Sequence, residues 1–138
     1  LISPPLYREM VMPHHKRFYD TFITDRPRGI HLCGDATRHF RTLRDELNIQ
    51  SFDTGFPVDF AWLRKELGPD VEIYGGPPVS LLLQGTPQQV YEASKAILLS
   101  GIMEGGRFVL REGNNLPPRV PLENLEAMYR AALDYGWY

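Results

Sequence analysis

A chain of 138 residues has the length of one domain or of a piece of one. Its 15 basic and 17 acidic side chains leave a net charge of −2, which gives no electrostatic reason to expect nucleic acid, because a phosphate-binding surface carries a basic surplus. No run of about 18 apolar residues is present to span a membrane, no secretory signal opens the chain, and a single cysteine cannot form an internal disulfide, so a reduced cytoplasmic protein is expected. The chain starts at Leu1 rather than Met and enters a helix signal almost at once, as expected of a start inside a longer protein.

Ser3-Pro4-Pro5 reads as a helix cap followed by proline in the first turn. Helical spacing follows along Leu6, Met10, His14 and Phe18, or along Tyr7, Val11, His14 and Phe18, and Pro13 is expected to kink or split that helix. Asp25 to Gly29 reads as a turn. Gly29-Ile30-His31-Leu32-Cys33 then reads as a buried strand stopped by Gly34-Asp35. A helix over 36–47 presents Phe40, Leu43 and Leu47 inward. A second strand over 49–54 ends at Asp53-Thr54-Gly55, and a short helix over 59–67 buries Phe60, Leu63 and Leu67. The third strand, 71–74, runs into Gly75-Gly76-Pro77-Pro78. Thr86-Pro87-Gln88-Gln89 is a capping box opening a helix to about Met103, with Val90, Ala93 and Ile97 inward. Arg107 to Arg111 is the fourth strand, ending in Glu112-Gly113-Asn114-Asn115. The last helix, 121–135, places Leu122, Leu125, Met128 and Ala132 on one face. The charge clusters Arg38-Arg41-Arg44 and Arg64-Lys65-Glu66 read as solvated helix faces. His14, His15 and His39 read as surface or packing residues, and Tyr7, Tyr19, Tyr91, Tyr129 and Tyr135 as packing aromatics.

Strand and helix alternate four times, which implies an α/β fold with a parallel sheet. Four βα units preceded by a helix make either a small open domain or half of an eight-stranded barrel. A half barrel leaves two sheet edges unpaired. The remainder of a longer chain would cover them, or a second copy would, so the fragment alone is expected to form a homo-oligomer or to be marginally soluble.

Sites in parallel α/β proteins are built at the carboxyl ends of the strands. Those ends gather His31, Cys33 and Asp35, then Asp53, then Tyr74 with Gly75-Gly76, then Glu112 and Asn114. Side chains alternate across a strand, so His31 and Cys33 share a face, and an imidazole beside a thiol suits zinc. A packed histidine beside a buried thiol is the alternative. Asp53 reads as a base or a strand-end cap. Gly75 and Gly76 read as an approach for an anionic cofactor or as a plain turn. Glu112 reads as a third ligand, a general base or the partner of a neighbouring arginine.

Ile2-Ser3-Pro4-Pro5-Leu6-Tyr7-Arg8-Glu9, His31-Leu32-Cys33-Gly34, Ser51-Phe52-Asp53, Gly75-Gly76, Glu112-Gly113-Asn114-Asn115-Leu116-Pro117-Pro118 and Pro121-Leu122-Glu123-Asn124 together resemble the C-terminal half of the uroporphyrinogen decarboxylase superfamily. The resemblance implies that residues 1–138 are the C-terminal half of a (β/α)₈ TIM barrel, with the N-terminal half outside this sequence. It also implies one of two activities for the parent enzyme. Cobalamin-dependent methyltransferases of the superfamily methylate thiols such as coenzyme M, using zinc held by a His-x-Cys pair and a later Cys in a Gly-Cys-x-x-Pro-Pro context. His31 and Cys33 match the pair, and Gly113, Pro117 and Pro118 match the context, with Asn114 where the third ligand falls. A corrinoid, a corrinoid protein and a small thiol would then be its partners. The decarboxylases of haem synthesis instead carry Gly-His-Gly at that point and lack the His-x-Cys pair. For them, or for a non-catalytic relative, a tetrapyrrole is the ligand. The fragment is not expected to be active alone.

Overall fold

A computed structural model describes residues 2–137. Four strands, β1 (Arg28–Leu32), β2 (Ile49–Thr54), β3 (Glu72–Gly75) and β4 (Phe108–Leu110), lie in the order β1-β2-β3-β4, and every neighbouring pair is parallel. The outer edges of β1 and β4 carry no strand partner among the described residues. Helices α1 (Pro4–Met10) and α2 (Met12–Phe22) precede the sheet, and α3 (Phe40–Leu47), α4 (Phe60–Leu67), α5 (Val79–Gln84), α6 (Pro87–Ile97) and α7 (Leu122–Tyr135) follow its strands.

Alternation along the strands separates two faces. Phe52 and Thr54 of β2 and Ile73 of β3 are fully buried beneath the helices, where Leu43, Leu47, Leu63 and Ile102 complete the core. Ser51, Asp53, Glu72 and Tyr74 point to the other side and stay half-exposed. The sheet is therefore covered on one face and open on the other.

The helix starts follow from local chemistry. Ser3 accepts from the Leu6 amide at 3.4 Å and Asp59 from the Trp62 amide at 3.0 Å, while Thr86 and Gln89 close a reciprocal capping box. Pro13 sits in the first turn of α2, and the chain breaks at Val11. That break shifts the inward face by one residue from the expected row. Tyr19 is buried and donates its hydroxyl to the Gly29 carbonyl at 2.7 Å, whereas Phe18 is 54% exposed.

Several features differ from the sequence-based expectation. The first, third and fourth strands are displaced or trimmed by a residue at their ends, within the usual scatter of element boundaries. Strand β1 alternates half-buried and exposed residues rather than being buried, and α6 ends at Ile97, where a wider turn over Leu98–Ile102 replaces its expected run to about Met103. Helix α5 is additional; its six residues are too short to show a period, although Leu82 within it is fully buried. Arg64 does not lie on a solvated face. It is buried and donates Nε to the Ile102 carbonyl, Nη1 to the Gly68 and Val71 carbonyls and Nη2 to the Arg107 carbonyl, at 2.7–3.0 Å.

Helix α7, finally, is rotated relative to its expected apolar face. Asn124 and Ala131 are its buried residues, while Leu122 and Tyr129 are 66% and 65% exposed. Asn124 sets this rotation by donating Nδ2 to the carbonyls of Leu82 and Gly85 at the end of α5, at 2.8 and 2.9 Å. Replacing Asn124 by Ala strands the buried Leu82 carbonyl and the half-buried Gly85 carbonyl, and the expected cost is about 2 kcal/mol. The midpoint of urea unfolding would measure it, and a change within about 0.5 kcal/mol would show that the bonds are replaced by water.

Candidate functional site

The sheet register builds the site. His31 is paired with Asp53, and Asp53 with Tyr74, so three neighbouring strands place these residues in one row on the open face. Cys33 follows the end of β1, and Arg111 and Glu112 follow the end of β4.

The side chains form one continuous chain of contacts. His31 Nδ1 lies 2.8 Å from Asp53 Oδ2, and His31 Nε2 lies 3.1 Å from Cys33 Sγ. An ionised carboxylate only accepts, so the proton between His31 and Asp53 belongs to Nδ1, and the lone pair of Nε2 faces the thiol. The same sulfur is 3.9 Å from Asn114 Oδ1. Arg111 donates Nη1 to Asp53 Oδ2 at 3.2 Å and Nη2 to Glu112 Oε1 at 2.6 Å. The hydrogen bond to Glu112 holds the guanidinium pKa above its ordinary value, against the opposing effect of burial. Two carboxylates against one guanidinium leave this cluster with an excess of one negative charge when His31 is neutral.

Two residues back along β2 and β3 the open face remains polar. Ser51 donates to Glu72 at 3.1 Å, and a further hydrogen bond to Glu72 pushes the Tyr74 hydroxyl above its ordinary pKa.

Of the residues singled out from sequence, His31, Cys33, Asp53, Glu112 and Asn114 are brought together. Gly75 and Gly76 serve close packing. A Cβ on Gly76 would sit 1.7 Å from the Arg111 carbonyl oxygen, and one on Gly75 would meet Thr54 Oγ1 at 2.5 Å. Asp35 turns away and accepts from the Thr37 amide at 3.0 Å. His39 is buried against Tyr7 and lies within 3.1 Å of the Ile2 carbonyl, and His15 contacts the Tyr7 hydroxyl at 2.9 Å. Burial pushes the Tyr7 pKa up to about 12. These groups line a cavity of about 150 Å³ behind β1, with Cys33 also on its wall. A groove of about 390 Å³ between α6 and α7 contains none of the strand-end residues. Sequence reasoning left Arg111, Glu72 and Ser51 without roles, although strand alternation alone puts Ser51 and Glu72 on the face of Asp53 and Tyr74.

A catalytic zinc takes three protein ligands and keeps a fourth position open. His31 Nε2 and Cys33 Sγ suit two of those positions, and the carboxylate behind His31 is the outer partner that a ligating imidazole commonly has. Asn114 offers an amide oxygen beside them. Among the described residues no three His, Cys, Asp or Glu side chains gather closely enough to hold an ion. The donor set here is thus two strong donors, His31 Nε2 and Cys33 Sγ, with the amide oxygen of Asn114 as a weak third.

Parallel βα units with a charged, hydrogen-bonded cluster at the strand carboxyl ends define part of a (β/α)-barrel domain. Residues 1–135 match the family model described as Uroporphyrinogen decarboxylase (URO-D), and the chain belongs to that family. It is 32% identical over 133 residues to a methylated-thiol–coenzyme M methyltransferase of Methanosarcina mazei, covering 95% of this chain and 34% of that protein. It is 26% identical over 138 residues to the methylcobamide:CoM methyltransferase MtbA of Methanosarcina acetivorans, covering 99% of this chain and 39% of that protein. A uroporphyrinogen decarboxylase of Pelobacter propionicus is 29% identical over 128 residues, covering 93% and 37%. A solved methyltransferase from Methanosarcina mazei superposes with a TM-score of 0.80 at 20% identity, over 99% of this chain and 39% of that one, which establishes the shared fold. The chain thus spans between a third and two fifths of the length of these relatives. No helix among the described residues is long and apolar enough to cross a membrane.

Proposed function

We propose that this chain is part of a corrinoid-dependent methyltransferase that moves a methyl group to a metal-activated thiol, with His31 and Cys33 holding the metal. One observation carries the reading: an imidazole nitrogen and a thiol sulfur lie 3.1 Å apart, with a carboxylate fixing the other ring nitrogen. The surplus negative charge of the cluster supports it, because a cation is attracted there and a polycarboxylate is repelled. The names of the two methanogen relatives agree with this reading.

Zinc bound there would keep an incoming thiol deprotonated at neutral pH. The chain's own residues do the remaining work. Asp53 keeps the His31 proton on Nδ1, so that Nε2 is free to act as a donor atom. Asn114 borders the sulfur from the β4 side, and Arg111 ties the two carboxylates together. The open face beneath, with Ser51, Glu72 and Tyr74, offers a polar floor to a small ligand.

A second reading is favoured by Asn114, a weak metal ligand standing where a third strong donor would be needed. On that reading the parent is a uroporphyrinogen decarboxylase or a non-catalytic tetrapyrrole-binding relative, and no metal is required. Metal analysis of the full-length protein separates the two. The methyltransferase reading expects about one zinc per chain, lost in Cys33→Ser and His31→Gln, together with methylation of a small thiol by methylcobalamin. Zinc content unaffected by both substitutions, or decarboxylation of uroporphyrinogen, would overturn it.

A further inference from the structure

We propose that Arg111 is a positioning residue for the His31–Cys33 pair, acting through Asp53 to keep the His31 proton on Nδ1 and the lone pair of Nε2 toward Cys33. This rests on the reading of that pair as metal donors. The Arg111 guanidinium bonds to Asp53 and Glu112, and its influence on His31 runs through a single oxygen. Asp53 Oδ2 receives both the His31 Nδ1–H and Arg111 Nη1, while Asp53 Oδ1 is buried and has no hydrogen-bond partner among the described residues. The rotation of the carboxylate is therefore set by those two bonds. Without the guanidinium, one of the two bonds that fix the carboxylate is lost, its plane is free to turn, and the acceptor that holds the proton on Nδ1 is less well aimed.

Arg111 is itself held from two sides. Glu112 takes its Nη2 at 2.6 Å, and its backbone amide donates to the Gly75 carbonyl at 2.9 Å. Its carbonyl rests where a side chain on Gly76 would be. The lack of a side chain at Gly76 thereby lets the chain after β4 approach closely enough for Arg111 to reach across to Asp53 on β2. An arginine suits the task because its planar fork serves two carboxylates at once, which a lysine ammonium does less well.

The tautomer is directly readable by ¹⁵N NMR of the full-length, metal-free protein with labelled histidine, recorded as a pH series and read on the neutral-ring plateau. His31→Gln assigns the signal. The expected results are an Nδ1–H form in the native protein, a mixture of both forms in Arg111→Gln, and an intermediate population in Arg111→Lys. Asp53→Asn, which removes the acceptor itself, should abolish the preference. Zinc affinity should fall about tenfold in Arg111→Gln, as for loss of an outer-shell partner. A loss of fold would not mimic this pattern, because Arg111→Lys keeps the charge and serves as the second variant. A native-like tautomer population in both Arg111 variants would overturn the proposal. Zinc binding insensitive to Cys33→Ser, with the tautomer still shifting, would instead overturn the metal reading and leave the positioning role standing.

Discussion

Replacing Arg64 by Met is expected to cost about 3–5 kcal/mol of stability, well beyond the loss of about 2 kcal/mol expected at Asn124. The guanidinium joins four carbonyls from four separate segments: the end of α4 at Gly68, the entry to β3 at Val71, the turn after α6 at Ile102 and the entry to β4 at Arg107. A methionine fills much of the volume and satisfies none of these acceptors. The Arg107 carbonyl keeps its bond from the Ile73 amide, while each of the other carbonyls left unpaired costs about 1–3 kcal/mol before relaxation and water entry reduce the sum. Against a typical total of about 5–15 kcal/mol, such a loss approaches unfolding. Arg64→Lys should recover only part of it, since one ammonium cannot address four acceptors spread around a planar fork. Urea unfolding of the full-length protein measures both, with Lys65→Ala, on the exposed side of the same helix, expected to stay within about 0.5 kcal/mol. A loss below about 1 kcal/mol in Arg64→Met would refute this account.

On the proposed reading of His31 and Cys33 as metal donors, Asn114→Cys is expected to strengthen zinc binding by about a hundredfold. Structural zinc gains about 10–16 kcal/mol from four ligands, so one added thiolate supplies about 3 kcal/mol. The Asn114 side chain already comes within 3.9 Å of Cys33 Sγ, so the substituted sulfur would enter the same cluster. A chelator competition gives the affinity, and Co²⁺ substitution should show stronger thiolate charge-transfer absorption in the variant than in the native protein. An unchanged affinity would mean that residue 114 does not border the metal. The native asparagine, on this account, keeps the ion weakly held, with an oxygen donor in place of a soft sulfur.

The sheet was legible because each strand ends at a turn signal and two helices open on a recognisable cap: Ser3 and Thr86 make the bonds expected of them. The shared face of His31 and Cys33 followed from strand alternation and from the stop at Gly34. What escaped were interactions between segments distant in sequence. Arg64 resembles any exposed helical arginine until the carbonyls of Ile102 and Arg107, 38 and 43 residues away, are placed around it. Arg111 reaches Asp53, 58 residues earlier, across an intervening strand, and no local pattern announces that pairing. The rotation of α7 has the same origin, since Asn124 answers carbonyls on α5 rather than the apolar period of its own helix.

The uncovered side of the sheet has one more consequence. Barrel interiors are commonly filled by branched aliphatic side chains, yet this one offers Ser51, Glu72 and Tyr74 below His31 and Asp53. Such a lining stays wet. Whatever part of the parent protein lies across from it must bring hydroxyls, amides or cations rather than oil. A segment closing over this face would find an apolar contact at Val109, beside Tyr74, and would otherwise have to be held by the strand edges and helix flanks.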